Sequence, residues 1–222
     1  MKWFGFAILF LMFDASARKP VPAARLQYLT GAKTQGDTKS KWDERYSKNH
    51  FVYGKSPAKF LAENYEYLPY GATVLDIGMG EGRNAVFLAQ KGYKVFGVDI
   101  SSVAVKKARL LAKELGVQIQ TVVAAIDDYT IKPASYDAII CFYFVDRKLI
   151  NEMKTWLKPG GLLIFEAHTV KQRENPAFSD DAIEYFLKEQ ELPKLFTGMR
   201  VLKYEEPIHR KEFRASIILK KI

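Results

Sequence analysis

The sequence is poor in cysteine and histidine. Its 222 residues include one cysteine, Cys141, and three histidines. A single thiol excludes an intrachain disulfide and a metal cluster built from cysteines. His50 and His168 stand far apart and show no metal-ligand spacing. We therefore predict no metal site.

Positive charge is not concentrated in any one stretch. The formal net charge is +9, but the lysines and arginines are scattered, with no dense run and no interleaved aromatic residues. Nucleic-acid-binding domains usually carry a basic patch or stripe. We expect no nucleic-acid partner, and we expect a monomer or homodimer. The chain shows no internal repeat, and its length suits one α/β domain.

The first residues form a short apolar segment. MKWFGFAILFLMFDASA (1–17) has a basic Lys2, an apolar run and small residues at 15–17, as a secretory signal does. The run is too short to span a bilayer. A cleaved signal, an uncleaved anchor and a misplaced start all remain open. Residues 18–39 have no period and are predicted to be a linker before one domain over 40–222.

Strand and helix patterns alternate along the rest of the chain. TVLDI, KVFGVDI, YDAIICFYF and LLIFEAH are apolar strand patterns separated by helix patterns. This alternation predicts a parallel sheet covered by helices on both faces. Pro159-Gly160-Gly161 predicts a turn, and near the C-terminus AIEYFLKEQELPKLF predicts a helix over 182–196 that is interrupted or ended near Pro193. MRVLKYEE and EFRASIILKKI predict two further strands.

A glycine-rich turn follows the first of these strands. In VLDIGMGEGRNAVFLAQKGYKVFGVDIS the glycines are Gly78, Gly80 and Gly82, and Asp76 precedes them. A dinucleotide fingerprint is G-x-G-x-x-G, so the spacing here is one residue shorter. A carboxylate at position 76 would repel a pyrophosphate but would suit a cationic ligand. Asp99, at the end of the second strand, could accept both ribose hydroxyls of either kind of nucleotide.

These motifs resemble class I SAM-dependent methyltransferases. EGRNAVFLAQKGYKVFGVDIS, KWDERYSKNHFVYGKSPAKFL and LKPGGLLIFEAHT are similar to the tellurite-resistance (TehB-like) branch in particular, as is the C-terminal part with its His-Arg pair. The resemblance implies a Rossmann-like, seven-stranded, mostly parallel sheet with helices on both faces and an antiparallel last strand. It implies S-adenosyl-L-methionine as cofactor and SN2 transfer of a methyl group.

The resemblance also implies site residues. Those expected to bind the cofactor are Arg45, Tyr53, Asp76, Gly78, Gly80, Gly82, Arg83, Asn84, Asp99, Ile100, Ala125, Ile126 and Cys141. Those expected to line the acceptor site are His209, Arg210 and Arg214, where arginines could hold a small oxyanion of the tellurite or selenite type. A thiol acceptor is the other possibility. Glu166 and His168, at the end of a strand, could contribute or could be structural.

Two departures from the resembled pattern keep alternatives open. Many relatives have an acidic residue where this chain has Ala125, with Asp127 two residues on, and the exit from the fourth strand carries no N-P-P-Y motif. The latter argues against methylation of amino groups on adenine or glutamine. A non-catalytic nucleotide-binding protein on the same fold remains the alternative, and a dehydrogenase-like dinucleotide binder is disfavoured by Asp76.

The expected compartment follows from the implied cofactor, which is made in the cytosol. We predict a cytoplasmic protein, with membrane contact only through residues 1–17 at the inner face. A periplasmic location is the alternative if 1–17 is a cleaved signal peptide.

Overall fold

The computed structural model describes residues 35–174, 185–207 and 213–222. The chain divides into two compact units, residues 1–38 and 39–222. Of the first unit, only the beginning of helix α1 (Gln35–Tyr46) is described. The apolar segment 1–17 therefore lies outside the described residues. Among those described, no helix has the length and apolar character needed to cross a membrane.

One sheet of seven strands organises the larger unit. The strands are β1 (Thr73–Ile77), β2 (Lys94–Asp99), β3 (Gln120–Val123), β4 (Tyr136–Phe142), β5 (Leu157–His168), β6 (Met199–Glu205) and β7 (Arg214–Lys221). Their order across the sheet is β3-β2-β1-β4-β5-β7-β6. Strands β1 to β5 pair in parallel, whereas β7 is antiparallel to both of its neighbours. The predicted fold class is confirmed.

Helices cover both faces of this sheet. They are α2 (Lys59–Asn64), α3 (Arg83–Gln90), α4 (Ser102–Glu114), α5 (Ile150–Trp156) and the single turn α6 (Leu192–Leu195). One apolar cluster packs α5 and α6 against residues such as Leu75 and Phe165, and another packs α2 and α3 against residues such as Val74 and Ile164. Because side chains alternate along each strand, both faces of these strands are apolar, as expected for a buried parallel sheet.

Local signals explain where the helices around the glycine turn begin and end. The hydroxyl of Ser101 accepts a hydrogen bond from the amide of Ala104, which caps α4 as a serine in this position should. Gly92 follows α3 with a φ of 87°, a left-handed conformation that glycine adopts without steric cost. Helix α3 itself begins directly after Gly82. The strand–turn–helix arrangement predicted for the motif is therefore present.

Three local predictions were wrong. The helix predicted over 182–196 is confined to Leu192–Leu195 where it is described, because residues 186–188 instead run beside the end of β5, bridging Leu187 to Thr169. Helix α1 begins at Gln35, inside the segment expected to be a linker. Strand β5 begins at Leu157 and runs through the Pro-Gly-Gly sequence that suggested a turn.

Candidate active site

The predicted site residues gather at one edge of the sheet. Strands β2, β1, β4 and β5 are parallel neighbours, so their carboxyl ends lie side by side. In that order the edge carries Asp99, the glycine turn after β1, Tyr143, and the pair Glu166 and His168. Ligands of open α/β sheets bind at this edge.

The glycine turn is packed so closely that side chains would not fit. Gly78, Gly80 and Gly82 have φ values of 64°, 55° and 83°, which favour glycine. A Cβ added to Gly80 would lie 2.9 Å from the hydroxyl oxygen of Tyr46, and one added to Gly82 would lie 2.6 Å from the Cβ of Ala108. The turn thus lies directly beneath helix α1 and against helix α4.

Asp76 is a buried carboxylate with an unsatisfied oxygen. Only 1% of the residue is exposed, and its Oδ2 atom has no hydrogen-bond partner among the described residues. Burial raises the pKa of Asp76 well above its ordinary value, and the charge of Asp99 raises it further, while Arg83 opposes the shift. A cation bound beside Oδ2 would supply the missing partner and favour the ionised form.

Asp99 is held rigidly between two backbone amides. Its Oδ2 accepts from the amide of Gly80 at 2.7 Å and its Oδ1 accepts from the amide of Ser101 at 2.8 Å. Burial raises the pKa of this carboxyl, while the two amide hydrogen bonds oppose the rise. Each oxygen still has a lone pair, so the group can also accept from the hydroxyls of a ribose.

Helix α1 is fastened over the turn by an acidic side chain. Asp43 accepts from the hydroxyl of Ser101 at 2.7 Å and from the amide of Val103 at 3.2 Å, and it pairs with Lys39. Burial would raise the pKa of Asp43, but its hydrogen bonds to Lys39, Ser101 and Val103 lower it to about 2. The carboxylate sits at the amino end of α4, where the helix dipole favours negative charge.

A buried ion pair fastens the loop after α1. Glu81, within the glycine turn, accepts from the amide of Val52 at 2.7 Å and from the ammonium of Lys107 at 2.8 Å. Lys107 also donates to the carbonyl of His50 at 2.8 Å. The loop that carries Tyr53 is therefore tied directly to the turn.

Two arginines expected at the cofactor interact with tyrosines. Arg45 donates from Nε to the hydroxyl of Tyr53 at 2.6 Å, and its guanidinium lies 6.0 Å from the ring centroid of Trp42. Arg83 donates to the carbonyl of Tyr53 at 3.2 Å and lies 5.5 Å from the ring centroid of Tyr143. Arg83 thereby connects the glycine turn with the loop after β4.

Other predicted cofactor residues have structural contacts. Asn84 is buried and its Oδ1 accepts from the amide of Ala58 at 2.8 Å, which fixes the start of α2. Cys141 is fully buried, its thiol donates to the carbonyl of Phe144, and burial raises its pKa. Ile126 packs in the core after Ala125, and Ile100 is half-buried. For Asn84 and Cys141 the structure shows a role in the fold.

The acceptor residues are only partly described. His209 and Arg210 lie outside the described residues. Arg214 begins β7, with its Nη1 atom 3.8 Å from Oε1 of Glu166. Glu166 is 1% exposed and accepts hydrogen bonds from Tyr143 and Ser216, both at 2.6 Å. The negative charge of Glu166 therefore partly neutralises Arg214, the residue that was expected to hold an oxyanion.

Sequence reasoning missed Tyr143 altogether. In the strand pattern that ends in CFYF, every aromatic residue is predicted to be a buried core residue. The one available signal was Glu166, a carboxylate inside an apolar strand, which requires a hydrogen-bond donor when buried. Nothing in the sequence indicated that the donor is Tyr143.

A separate cavity is lined in part by Arg214. Its volume is about 460 Å³, and its lining includes Thr169, Tyr204, Phe213 and Arg214. None of the residues that line it belongs to the glycine turn or to the loop after β4. This cavity is therefore not the cofactor site.

The central segment of the chain is similar to known proteins. Residues 74–161 match the family model described as a methyltransferase domain. A ubiquinone biosynthesis O-methyltransferase of Xanthomonas axonopodis pv. citri is 31% identical over 118 residues, which are 50% of this chain and 49% of that protein. The chain thus spans about half the length of the curated relatives it matches.

Solved structures share the fold at low sequence identity. TehB from Haemophilus influenzae superposes with a TM-score of 0.62 at 20% identity, covering 82% of this chain and 67% of that one. A SAM-dependent methyltransferase from Aquifex aeolicus gives a TM-score of 0.60 at 19% identity, covering 86% of this chain and 100% of that one. These likenesses show the fold alone, and the match to a methyltransferase domain supports S-adenosylmethionine as the cofactor.

Proposed function

We propose that this chain transfers the methyl group of S-adenosylmethionine to a small-molecule acceptor. The observation that carries the proposal is the buried Asp76 carboxylate with its unpartnered Oδ2, beside a turn of three left-handed glycines. A phosphate at this place would meet an uncompensated negative charge, whereas a cationic ligand would be stabilised there.

The donor set fits this cofactor in its chemistry. S-adenosylmethionine carries an ammonium and a sulfonium, both cationic, and a ribose with two hydroxyls. Asp76 would receive the cationic end and Asp99 would accept from the ribose hydroxyls, while the amide after Ala125 would face the adenine. When bound, the cofactor supplies an electrophilic methyl group.

The protein contributes orientation and exclusion of water rather than covalent chemistry. Helix α1 and the following loop are fixed over the glycine turn by Asp43 and Glu81, each through side-chain and backbone hydrogen bonds. A rigid cover of this kind holds the reacting groups at contact distance and keeps competing water out.

The described residues define the methyl acceptor less well than they define the cofactor. An oxyanion of the tellurite or selenite type and a thiol are the two candidates from the TehB-like resemblance, with Arg214 as the described residue on that side. The names of the curated relatives add an oxygen acceptor, since those proteins are O-methyltransferases of ubiquinone biosynthesis. All three would act as nucleophiles toward the methyl group.

Calorimetric titration of the full chain with S-adenosylhomocysteine and, separately, with NADH tests the cofactor. We expect S-adenosylhomocysteine to bind. Asp99→Asn should weaken its binding at least about tenfold, because one hydrogen bond to a charged group contributes about that much. Glu152→Gln, which removes an exposed carboxylate on α5, is the matched control and should bind as the parent does. Binding of NADH instead would refute the proposal, and binding without any methyl transfer would favour the non-catalytic alternative.

The cytosolic supply of this cofactor also leads us to propose a cytoplasmic protein, with residues 1–17 as a possible attachment to the inner membrane face. Cell fractionation with a C-terminal tag tests this. A shortened protein outside the inner membrane would overturn it.

A further inference from the structure

Tyr143 is held in an uncommon backbone conformation by Glu166. Its φ is 59°, in the left-handed region that residues with side chains rarely adopt. The amide of Tyr143 donates to the carbonyl of Glu166 at 2.8 Å, and its hydroxyl donates to Oε1 of the same residue at 2.6 Å. Strained residues that persist in this way cluster at functional sites. Tyr143 is therefore a candidate for function rather than an ordinary core residue.

The carboxylate of Glu166 is buried but well supplied with partners. Oε2 accepts from the hydroxyl of Ser216, and the guanidinium of Arg214 lies near Oε1 as the counter-ion. Burial raises the pKa of the Tyr143 phenol, the neighbouring Glu166 raises it further, and Arg214 opposes the shift. The phenol therefore stays protonated, and its proton lies on the hydrogen bond toward Glu166.

Tyr143 lies between this carboxylate and the glycine turn. Glu166 is 1% exposed, whereas Tyr143 is only half-buried. The ring of Tyr143 contacts His168, with centroids 4.8 Å apart, and the guanidinium of Arg83 lies over the same ring. Because Arg83 directly follows Gly82, Tyr143 lies next to the turn, on the opposite side from Asp99.

From this geometry we propose that Tyr143 and Glu166 form a proton relay for the acceptor of the methyl group. The inference rests on the proposed function. The acceptor hydroxyl or thiol passes its proton to the oxygen of Tyr143, as the phenolic proton moves to Oε1 of Glu166. The freed lone pair of the acceptor forms the bond to the methyl carbon, and the carbon–sulfur bond of the donor breaks with its electron pair going to sulfur. Charge and protons balance, because the carboxylate ends protonated.

The relay specifies the class of acceptor. It serves a nucleophile that must lose a proton, namely a hydroxyl or a thiol, and it does nothing for a nucleophile that attacks through an existing lone pair. Selenite, which attacks through selenium, belongs to the second group. Among the described residues, the charged or titratable groups that face the relay are Arg214 from β7, His168 from β5 and Arg83 from α3.

The test measures formation of S-adenosylhomocysteine by the full chain with three probe acceptors: catechol, 2-mercaptoethanol and selenite. We expect Glu166→Gln and Tyr143→Phe each to lower turnover of catechol and mercaptoethanol about 100-fold near neutral pH, the usual contribution of positioned acid–base groups. The loss should shrink as the pH is raised from about 6 to about 10, because the acceptor then ionises without help. Any turnover of selenite should change less than about threefold.

A matched variant controls for loss of a phenol–carboxylate contact. Tyr204→Phe removes the contact of Tyr204 with Glu206 at the other cavity, and should leave the rates with all three probes unchanged. Titration with S-adenosylhomocysteine shows whether each variant is folded and binds the cofactor. Tyr143→Phe retains the ring, so it keeps the test decisive if Glu166→Gln does not fold.

Three outcomes would overturn the relay. They are an equal loss with all three probes, a loss that does not depend on pH, and methylation of neither catechol nor mercaptoethanol by a parent protein that binds S-adenosylhomocysteine. Failure of the parent to bind S-adenosylhomocysteine is a different result, because it refutes the proposed function itself.

Discussion

Replacing Asp76 by asparagine should make the free protein more stable and the cofactor complex weaker. The carboxylate is buried, its Oδ2 atom has no partner, and its pKa is raised well above the ordinary value. In an acid whose pKa is higher in the folded state, the folded state binds more protons between the two pKa values. Stability is therefore lost as the pH rises through that window. At neutral pH the group is a net cost to folding.

The two effects can be sized from general magnitudes. Asparagine keeps a polar atom at this place but removes the cost of burying an ionisable group, and each unit by which a pKa is raised costs about 1.4 kcal/mol, so Asp76→Asn should raise the free energy of unfolding by about 1 kcal/mol or more. A hydrogen bond between charged groups contributes roughly 1.5–3 kcal/mol. Loss of the contact with the ligand ammonium should then weaken binding about 10- to 100-fold.

Urea unfolding of the full chain at neutral pH measures the first effect, and calorimetric titration with S-adenosylhomocysteine measures the second. Titration in buffers of different ionisation enthalpy adds a third readout. Below the raised pKa, binding should release a proton from Asp76, and this release should vanish in the variant. A variant that is less stable than the parent and binds equally well would show that Asp76 has a structural role only.

Two further changes test the parts that surround the turn. Gly82→Ala should destabilise the protein by about 2 kcal/mol or more, since the new Cβ would lie 2.6 Å from the Cβ of Ala108. Gly54 has a similar φ of 72° but open space around it, so Gly54→Ala should cost only the backbone strain of about 1 kcal/mol. Equal losses of stability in urea unfolding would disprove the role of close packing. Asp43→Ala should lower the free energy of unfolding by about 1 kcal/mol at neutral pH. Because the pKa of Asp43 is lowered to about 2, the difference in stability between parent and variant should disappear as the pH falls from about 4 to about 2. A difference that persists in acid would contradict the assigned hydrogen bonds.

The parts of the molecule that sequence could predict are those governed by local rules. The strand TVLDI, the glycines after it and the serine cap of α4 each follow from a pattern of neighbouring residues, and the structure has them in place. The segment before Leu192 has a helical pattern, yet residues 186–188 lie beside β5. In this segment a contact with a strand that is distant in sequence outweighs the local preference for helix. Such a contact cannot be deduced from a short stretch of sequence.

The contacts of the site were harder to predict for the same reason. The positions of Asp76 and Asp99 near the ends of β1 and β2 could be predicted, because the strands that carry these residues set those positions. Asn84, by contrast, matches the motif by sequence but bonds to Ala58, which is distant in the chain. The pairing of Tyr143 with Glu166 depends on the register of β4 and β5 and on a left-handed backbone angle. Neither of these can be derived from composition or spacing.

The match to the family model ends before two of the residues that lie on the proposed acceptor side. The family model covers residues 74–161, which hold Asp76, Asp99 and Tyr143, but it ends before Glu166 and Arg214. The match therefore covers one member of the proposed relay, Tyr143, whereas the other member, Glu166, lies beyond it in β5. It follows that the acceptor of a relative cannot be transferred to this chain on the strength of that match. The acceptor has to be found through Tyr143, which lies inside the matched segment and donates to the Glu166 carboxylate outside it.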